Sequence, residues 1–336
     1  MLKAFGQPFH RLRVPAPDSF KGQTVLVTGS NTGVGLESAR HVLRMGAAKI
    51  ILGVRTLVKG KAAKEDLTAS TGTRPESIEV WQVDLESFES VKSFATRMKR
   101  YIEDEDGQLD TAILNAGMAS GQWNLTSDGW ERTLEVNGLS TALLSLRLLP
   151  LLVTQSKKSG KTPHLVIVAS DMHMYVKFPE KHADNILQNL NDKAQWEKSQ
   201  ALGGPAERYG LTKLLDIFVT IELAKMMSED HQGNPPVIVN CVTPGFCKSE
   251  LLTREPAPLI LKLLQWATAR DVKDGSKALV DAAVRGVETH GQWLENQHIT
   301  DPGANVTSQE AIRTREKVWK EMLEVLHKVD REVARM

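Results

Sequence analysis

Short runs of apolar, β-branched residues recur between residues 24 and 242, and stretches with helical spacing separate them. The runs are TVLVT (24–28), KIILGV (49–54), SIEVWQV (77–83), TAILN (111–115), HLVIVAS (164–170) and VIVNCV (237–242). Each is apolar on both faces, so neither face of the strand is meant for water. Strands of that kind, alternating with helices, specify a parallel sheet covered on two sides, an α/β fold. The intervening helices are expected at Val34 to Met45, with Leu36, Ala39 and Leu43 inward and Gly46 as its stop, then through 58–70, 87–103 and about 128–154. A last one begins near Tyr209, where Leu214, Phe218, Ile221 and Lys225 keep turn spacing and Leu211 and Leu215 widen the apolar face. No internal repeat or low-complexity linker interrupts the rhythm, so residues 21–336 read as one domain behind an arm of residues 1–20.

Two segments depart from this pattern. Residues 171–208 form a long, polar insertion before the Tyr209 helix, and residues 251–270 (LLTREPAPLILKLLQWATAR) are apolar and broken by proline. The chain closes on an amphipathic helix within 308–333, with Val318, Met322, Val325, Leu326 and Val329 on one face and Ser308 as N-cap. LLSLRLLPLLV (143–153) is interrupted by Arg147 and Pro150, which predicts a buried helix ending at the proline rather than a membrane span.

The first strand runs into TGSNTGVG, with Thr28, Gly29, Gly33 and Gly35. Glycines there permit a tight turn and bring backbone N–H groups to a pyrophosphate at a helix N-terminus. A glycine pattern alone is weak, and a purely structural turn is the alternative; here the strand before and the helix after supply the needed context. An NAD site usually carries an acid about twenty residues on, whereas this chain has Gly53, Val54 and Arg55, with no acid before Glu65. Arg55, assisted by Lys59, can instead pair with the 2′-phosphate of NADP.

Of three tyrosines, only Tyr209 has a cation four residues later, Lys213. On a helix the two face the same way, and a nearby ammonium favours the phenolate, lowering the tyrosine pKa toward the range of a useful proton donor or acceptor.

A net charge of +1 argues against a broad nucleic-acid footprint. Two cysteines without a CxxC pair point to free thiols in a reducing compartment, and nine scattered histidines give no metal-ligand spacing. The first twenty residues hold Lys3, Arg11 and Arg13 with no acid before Asp18, but three prolines and little periodicity favour a surface arm over a transit peptide. The expected location is cytoplasmic.

As a set, these motifs resemble the short-chain dehydrogenase/reductase family over residues 22 to 250, and most closely its retinol-dehydrogenase-like branch, which includes many reductases of fungal secondary metabolism. The resemblance implies a single Rossmann-type doubly wound sheet. TGSNTGVG resembles the cofactor turn, which implicates Gly29, Ser30, Asn31, Gly33, Val34 and Gly35. VDLES places Asp84 and Leu85 at the adenine, and LNAG places Asn115, Ala116 and Gly117 beside its ribose. TPGFCKS puts Pro244 and Gly245 by the nicotinamide, with Ser249 where many members have threonine. Asn137 in EVNG, Ser170 in VIVAS, Tyr209 and Lys213 match the active-site set.

What the resemblance implies chemically is an NADP(H)-dependent carbonyl reductase or alcohol dehydrogenase for a bulky apolar substrate. Tyr209 would donate the proton, Ser170 hold the carbonyl, Lys213 lower the tyrosine pKa and bind the ribose, and Asn137 order a water. The alternative is a non-redox isomerase, cyclase or NADP-sensing binding protein on the same fold. The helices at 128–154 and 209–227 are the family's usual homodimer contact, unless the C-terminal helix covers that face. Segment 251–270 reads as a lid, a core helix or, through Trp266, a membrane contact. His173 and Tyr175 are candidates for the pocket wall, and the other tryptophans are expected in packing.

Overall fold

The computed structural model describes residues 10–204, 206–229, 234–248 and 269–333. Strand β1 (Thr24–Thr28) leads into helix α1 (Gly33–Arg44), followed by β2 (Lys49–Val54), α2 (Leu57–Thr71), β3 (Ile78–Gln82), α3 (Phe88–Glu103) and β4 (Thr111–Leu114). A π-helical segment, Leu134–Leu139, continues without a break into α4 (Ser140–Ser159), and β5 (His164–Val168) follows. Then come α5 (Ile186–Leu190), α6 (Lys193–Gly203), α7 (Glu207–Glu229), β6 (Ile238–Val242), α8 (Val272–Ala282), β7 (Trp293–Glu295), β8 (His298–Ile299), α9 (Ala304–Thr307) and α10 (Gln309–Val329).

The eight strands pair in the order β3-β2-β1-β4-β5-β6-β7-β8. All pairs are parallel except β7 with β8. The order reverses between β1 and β4, and in such sheets that switch point opens a crevice at the carboxyl ends of the strands.

Side chains along a strand alternate between faces, so one run feeds two cores. Val25, Val27, Ile50, Leu52, Ile113, Val166 and Val242 face one way and pack with Val42, Leu67 and Leu279. Leu26, Ile51, Ala112, Leu165, Ile167 and Val239 face the other way and pack with Phe94, Leu144, Leu148, Phe218 and Met322. Both faces are covered, as two-sided apolarity requires.

Three expectations need correction. Helix α4 does not end at Pro150 but runs nine residues beyond it to Ser159. Pro150 lies on the exposed side, where its ring costs one hydrogen bond, while Leu143, Leu144, Leu146, Leu148, Leu149 and Leu152 are buried and hold the helix through the defect. The insertion is more ordered than its polarity suggests: Asn185 and Asp192 cap α5 and α6 through their side chains. The sheet also gains β7 and β8, whose three and two residues are too short for a sequence pattern to announce. The segment Leu134–Ser159 has the length and apolarity of a membrane span, yet most of it is buried inside the fold.

Residues 10–20 lie against the domain, with Leu12 and Phe20 buried and Arg13 exchanging two hydrogen bonds with the Gln297 side chain (2.8 and 2.6 Å). At the other end α10 begins at Ser308, whose hydroxyl accepts from Ala311 N–H. It is fastened to α7 by Arg315 on Glu222 (2.6 Å), and Glu321 accepts the backbone N–H groups of Ile186 and Leu187.

Candidate active site

The motifs singled out in the sequence fall at the carboxyl ends of β1 to β6, along one edge of the sheet. After β1, Gly29 and Gly33 adopt positive φ (65° and 61°), a conformation glycine takes without strain. A Cβ on Gly35 would come within 2.5 Å of Asn115 Nδ2 and of Gly29 O, so the turn closes only with hydrogen there. A Cβ on Gly33 would meet nothing within 4 Å, which leaves an open cradle at the start of α1.

That helix start suits an anion. Thr32 gives no side-chain cap, no acid occupies the first turn, and the Ser30 hydroxyl is buried without a hydrogen-bond partner. Unsatisfied N–H groups at a positive helix end are the elements of a phosphate site. Asn31 and Val34, partly exposed, border the same turn.

Asn115 ties the turn to the next strand. Its Nδ2 donates to Thr28 O (3.0 Å) and Gly29 O (3.4 Å), while Ala116 N–H donates to Thr28 Oγ1 (3.0 Å). A Cβ on Gly117 would stand 3.2 Å from Asn137 Oδ1 and 3.5 Å from Lys213 Nζ, so this motif also backs onto the proton-handling residues.

At the ends of β2 and β3, Arg55 is more than half exposed and its Nη1 donates to Glu86 Oε1 (2.6 Å). Arg132 shares the same oxygen (2.7 Å). Glu86 is therefore an anion already held by the arginine that the sequence assigned to a 2′-phosphate, a feature the sequence reading missed. Asp84 lies next to it, its Oδ1 accepting from Glu86 N–H (3.0 Å), with Leu85 buried alongside and Lys59 exposed in the first turn of α2.

The four residues expected to act on substrate come from the turn after β5, the π segment and α7. Tyr209 and Lys213 stand one turn apart on α7, the ammonium 6.0 Å from the centre of the phenol ring. Tyr209 is half-buried. Its enclosure pushes the phenol pKa up, and Lys213 and the Ser170 side chain pull it back without cancelling the rise. The lowering expected from Lys213 is thus present but outweighed. Part of the reason is Asp216, three residues beyond Lys213 on the same face, which takes the ammonium at 2.8 Å. Val168 O accepts a second bond from Lys213 (2.8 Å).

Asn137 is wholly buried, its Oδ1 accepting from Met118 N–H (2.9 Å) and its Nδ2 donating to Met118 O and Thr212 Oγ1 (2.8 and 2.9 Å). Both of its amide hydrogens are thus taken by protein groups. The π turn around it re-aims backbone groups at this depth, and such turns recur at functional sites.

Ser170 begins a 3₁₀ turn, Asp171–Met174, and its hydroxyl accepts from Met172 N–H (3.3 Å). His173 does not line an open pocket but is fully buried, with Nδ1 2.7 Å from Ser170 O and Nε2 2.8 Å from Pro302 O. Asn305 Nδ2 reaches the carbonyls of His173 and Val176 at 3.2 and 3.3 Å. The serine turn is thereby bound to residues far along the chain. Tyr175 is exposed.

After β6, Gly245 takes positive φ (76°) and Pro244 O accepts from Arg270 Nη1 (3.1 Å). Ser249 and nearly all of 251–270 lie outside the described residues. Of the tryptophans, Trp81, Trp130, Trp196 and Trp293 are buried, and Trp123 meets Trp196 edge to face at 5.9 Å.

Comparison with known proteins agrees with this geometry. The short chain dehydrogenase family model matches residues 23–177. A short-chain dehydrogenase of Penicillium roqueforti is 39% identical over 331 residues, covering 96% of this chain and 82% of the relative. A short chain dehydrogenase/reductase of a Cryptosporiopsis species is 36% identical over 324 residues, covering 96% and 95%. Among solved structures, an uncharacterized protein from Mycobacterium paratuberculosis superposes with a TM-score of 0.64 at 23% identity, covering 93% and 95% of the two chains. NADPH-bound carbonyl reductase from chicken fatty liver does so at 0.58 and 17% identity, covering 88% and 98%.

Proposed function

The chain belongs to the short-chain dehydrogenase family, and from that we propose that it is an NADP(H)-dependent carbonyl reductase, moving hydride between NADPH and the ketone or aldehyde of a bulky apolar small molecule. The observation that carries the reading is the convergence of Ser170, Tyr209, Lys213 and Asn137 beside the glycine turn at one sheet edge. NADP is favoured over NAD because β2 ends in Gly53, Val54 and the exposed Arg55 rather than in an acid. The chicken carbonyl reductase, NADPH-bound in its crystal, has the same fold.

The N–H groups of the Gly29–Gly35 turn would hold the pyrophosphate, Arg55 and Lys59 the 2′-phosphate, and Asp84 and Leu85 the adenine. Asn115, Ala116 and Gly117 would border the ribose, Lys213 would bind the nicotinamide ribose, and Pro244 and Gly245 would flank the ring. When bound, the nicotinamide supplies or accepts the hydride. Everything else falls to side chains of this chain. Ser170 Oγ holds the carbonyl oxygen and Tyr209 Oη gives it a proton. Lys213 offsets the negative charge that develops on the phenol, and Asn137 fixes the helix from which Thr212 and Lys213 project.

The apolar substrate class follows from the family resemblance; Leu125 in the loop beyond Gly117 and Leu202 on α6 of the insertion present exposed apolar side chains. The fungal relatives support a role in secondary metabolism, and two buried cysteines with no disulfide among the described residues fit the reducing cytoplasm. A homodimer would pair through a surface that α10 shares, because α10 already lies on α7.

Titration with NADPH and with NADH, followed by nicotinamide fluorescence, tests the cofactor reading. Tight NADPH binding supports it, and well-folded protein that binds neither nucleotide rejects it. Tyr209→Phe separates the redox reading from the non-redox alternative, since function that survives the change is not hydride transfer.

A further inference from the structure

Lys213 and Asp216 form an ion pair at 2.8 Å with side chains 6% and 1% exposed. Only one carboxylate oxygen is used in hydrogen bonding, for Asp216 Oδ1 is buried without a hydrogen-bond partner. As a device for stability this is poor, because a desolvated pair gains little and a bare buried oxygen loses its water for nothing. An ammonium has three donors. One goes to Asp216 and one to Val168 O, at the end of β5 two residues before Ser170. The remaining donor is left for the crevice that Gly117 backs onto.

We propose that Asp216 is a positioning residue for this site: it anchors the Lys213 ammonium against β5 and offsets its charge, and so sets the pH range in which the Tyr209 phenol gives up its proton. The proposal rests on the reading of Tyr209 and Lys213 as the proton-handling pair. Besides Lys213 and Asp216, Tyr209 on the same helix and Cys241 from β6 face this ion pair, and Asp171 from the turn after Ser170 acts on Tyr209. Glu222, further along α7, is taken up by Arg315 and Lys225.

The electrostatics agree in sign. Burial raises the Asp216 carboxyl to about 6, against the pull of Lys213. Burial pulls Lys213 down, but the Asp216 charge outweighs it and the ammonium is held above its ordinary value. On Tyr209, enclosure comes first, and Asp171 and Asp216 add to the rise that Lys213 opposes. Replacing Asp216 by a neutral residue removes one of those upward pushes, so the phenol should ionise at lower pH.

The chain's three tyrosines make this measurable without a substrate. With 13Cζ-labelled tyrosine, Tyr209→Phe assigns the Tyr209 resonance, which is then titrated in the wild type, Asp216→Asn and Asp216→Glu. The expected result is a midpoint lower by about one unit in Asp216→Asn, the size a neighbouring charge confers. Asp216→Glu should restore most of it. An unchanged midpoint in folded Asp216→Asn would overturn the proposal. Should Asp216→Asn not fold, the wild type decides: the Tyr209 resonance should inflect as the Asp216 carboxyl titrates, and a flat trace through that range overturns it. These titrations are made without nucleotide, so a protein that fails to bind NADPH would refute the functional reading alone.

Discussion

Arg55 meets Glu86 before it meets any phosphate. On the proposed NADP reading, a 2′-phosphate reaching Arg55 would have to displace a carboxylate that Arg132 also holds. Truncation to Arg55→Ala should weaken NADPH binding roughly tenfold or more, the value of a charge-assisted hydrogen bond, and leave NADH nearly unchanged. Equal losses for both nucleotides in the fluorescence titration would remove Arg55 from the phosphate. Tyr209→Phe should lower turnover by at least about 10²-fold, as loss of a general acid does, while nucleotide affinity holds. Most of these positions were legible because each motif pairs a residue type with a strand end. Their partners were less so. Asp216 was readable, three residues from Lys213 and thus on its helix face, but acids at that spacing are common. Glu86 and Thr212 needed the fold, since nothing local links them to Arg55 or Asn137.

At the scale of the element, the segment Leu134–Leu139 carries an acid in an apolar place. Glu135 is fully buried, and burial raises its carboxyl to about 8, against the hydrogen bond from Thr126 Oγ1. The folded state therefore keeps this proton where the unfolded chain has released it. The stability it contributes is complete below the unfolded pKa of about 4.5 and is lost as pH rises through about 8. Glu135→Gln should flatten this slope and gain stability at pH 8 on the order of a few kcal/mol, read as the change in ΔG between pH 5 and pH 8 from urea unfolding. Ser308→Ala should cost about 1 kcal/mol through the lost cap of α10, seen as a lower urea midpoint. The cap was visible in the sequence; the π turn was not. Apolar spacing in EVNGLSTALL fits either helix type, because one extra residue per turn shifts the buried stripe too little to show. Pro150 misled for a related reason. Its local penalty is fixed, but burial around it decides whether the helix stops.

Over the whole molecule, the two cores meet the sheet from opposite sides, and Phe218 packs on the side shared by α4, α7 and α10. Phe218→Ala should destabilise the protein by about 3–5 kcal/mol, a typical aromatic cavity, and lower its urea midpoint accordingly. The parallel sheet through β6 could be read because two-sided apolar runs are its signature. Beyond β6 the chain left less to read, as β7 and β8 are held by neighbours rather than by their own pattern. The contact of His173 Nε2 with Pro302 O, with Asn305 beside it, reaches across that late part of the molecule to the serine turn. This has a consequence for synthesis. When the ribosome has made everything through Lys213, the glycine turn, Ser170 and Tyr209 all exist, yet the clamp on Ser170 is still unmade by some ninety residues. Strands β1 to β5 are thus complete in the chain long before the serine turn has its late partners. A product stopped at residue 300 would lack Pro302 and Asn305, and with them the contacts that hold the serine turn.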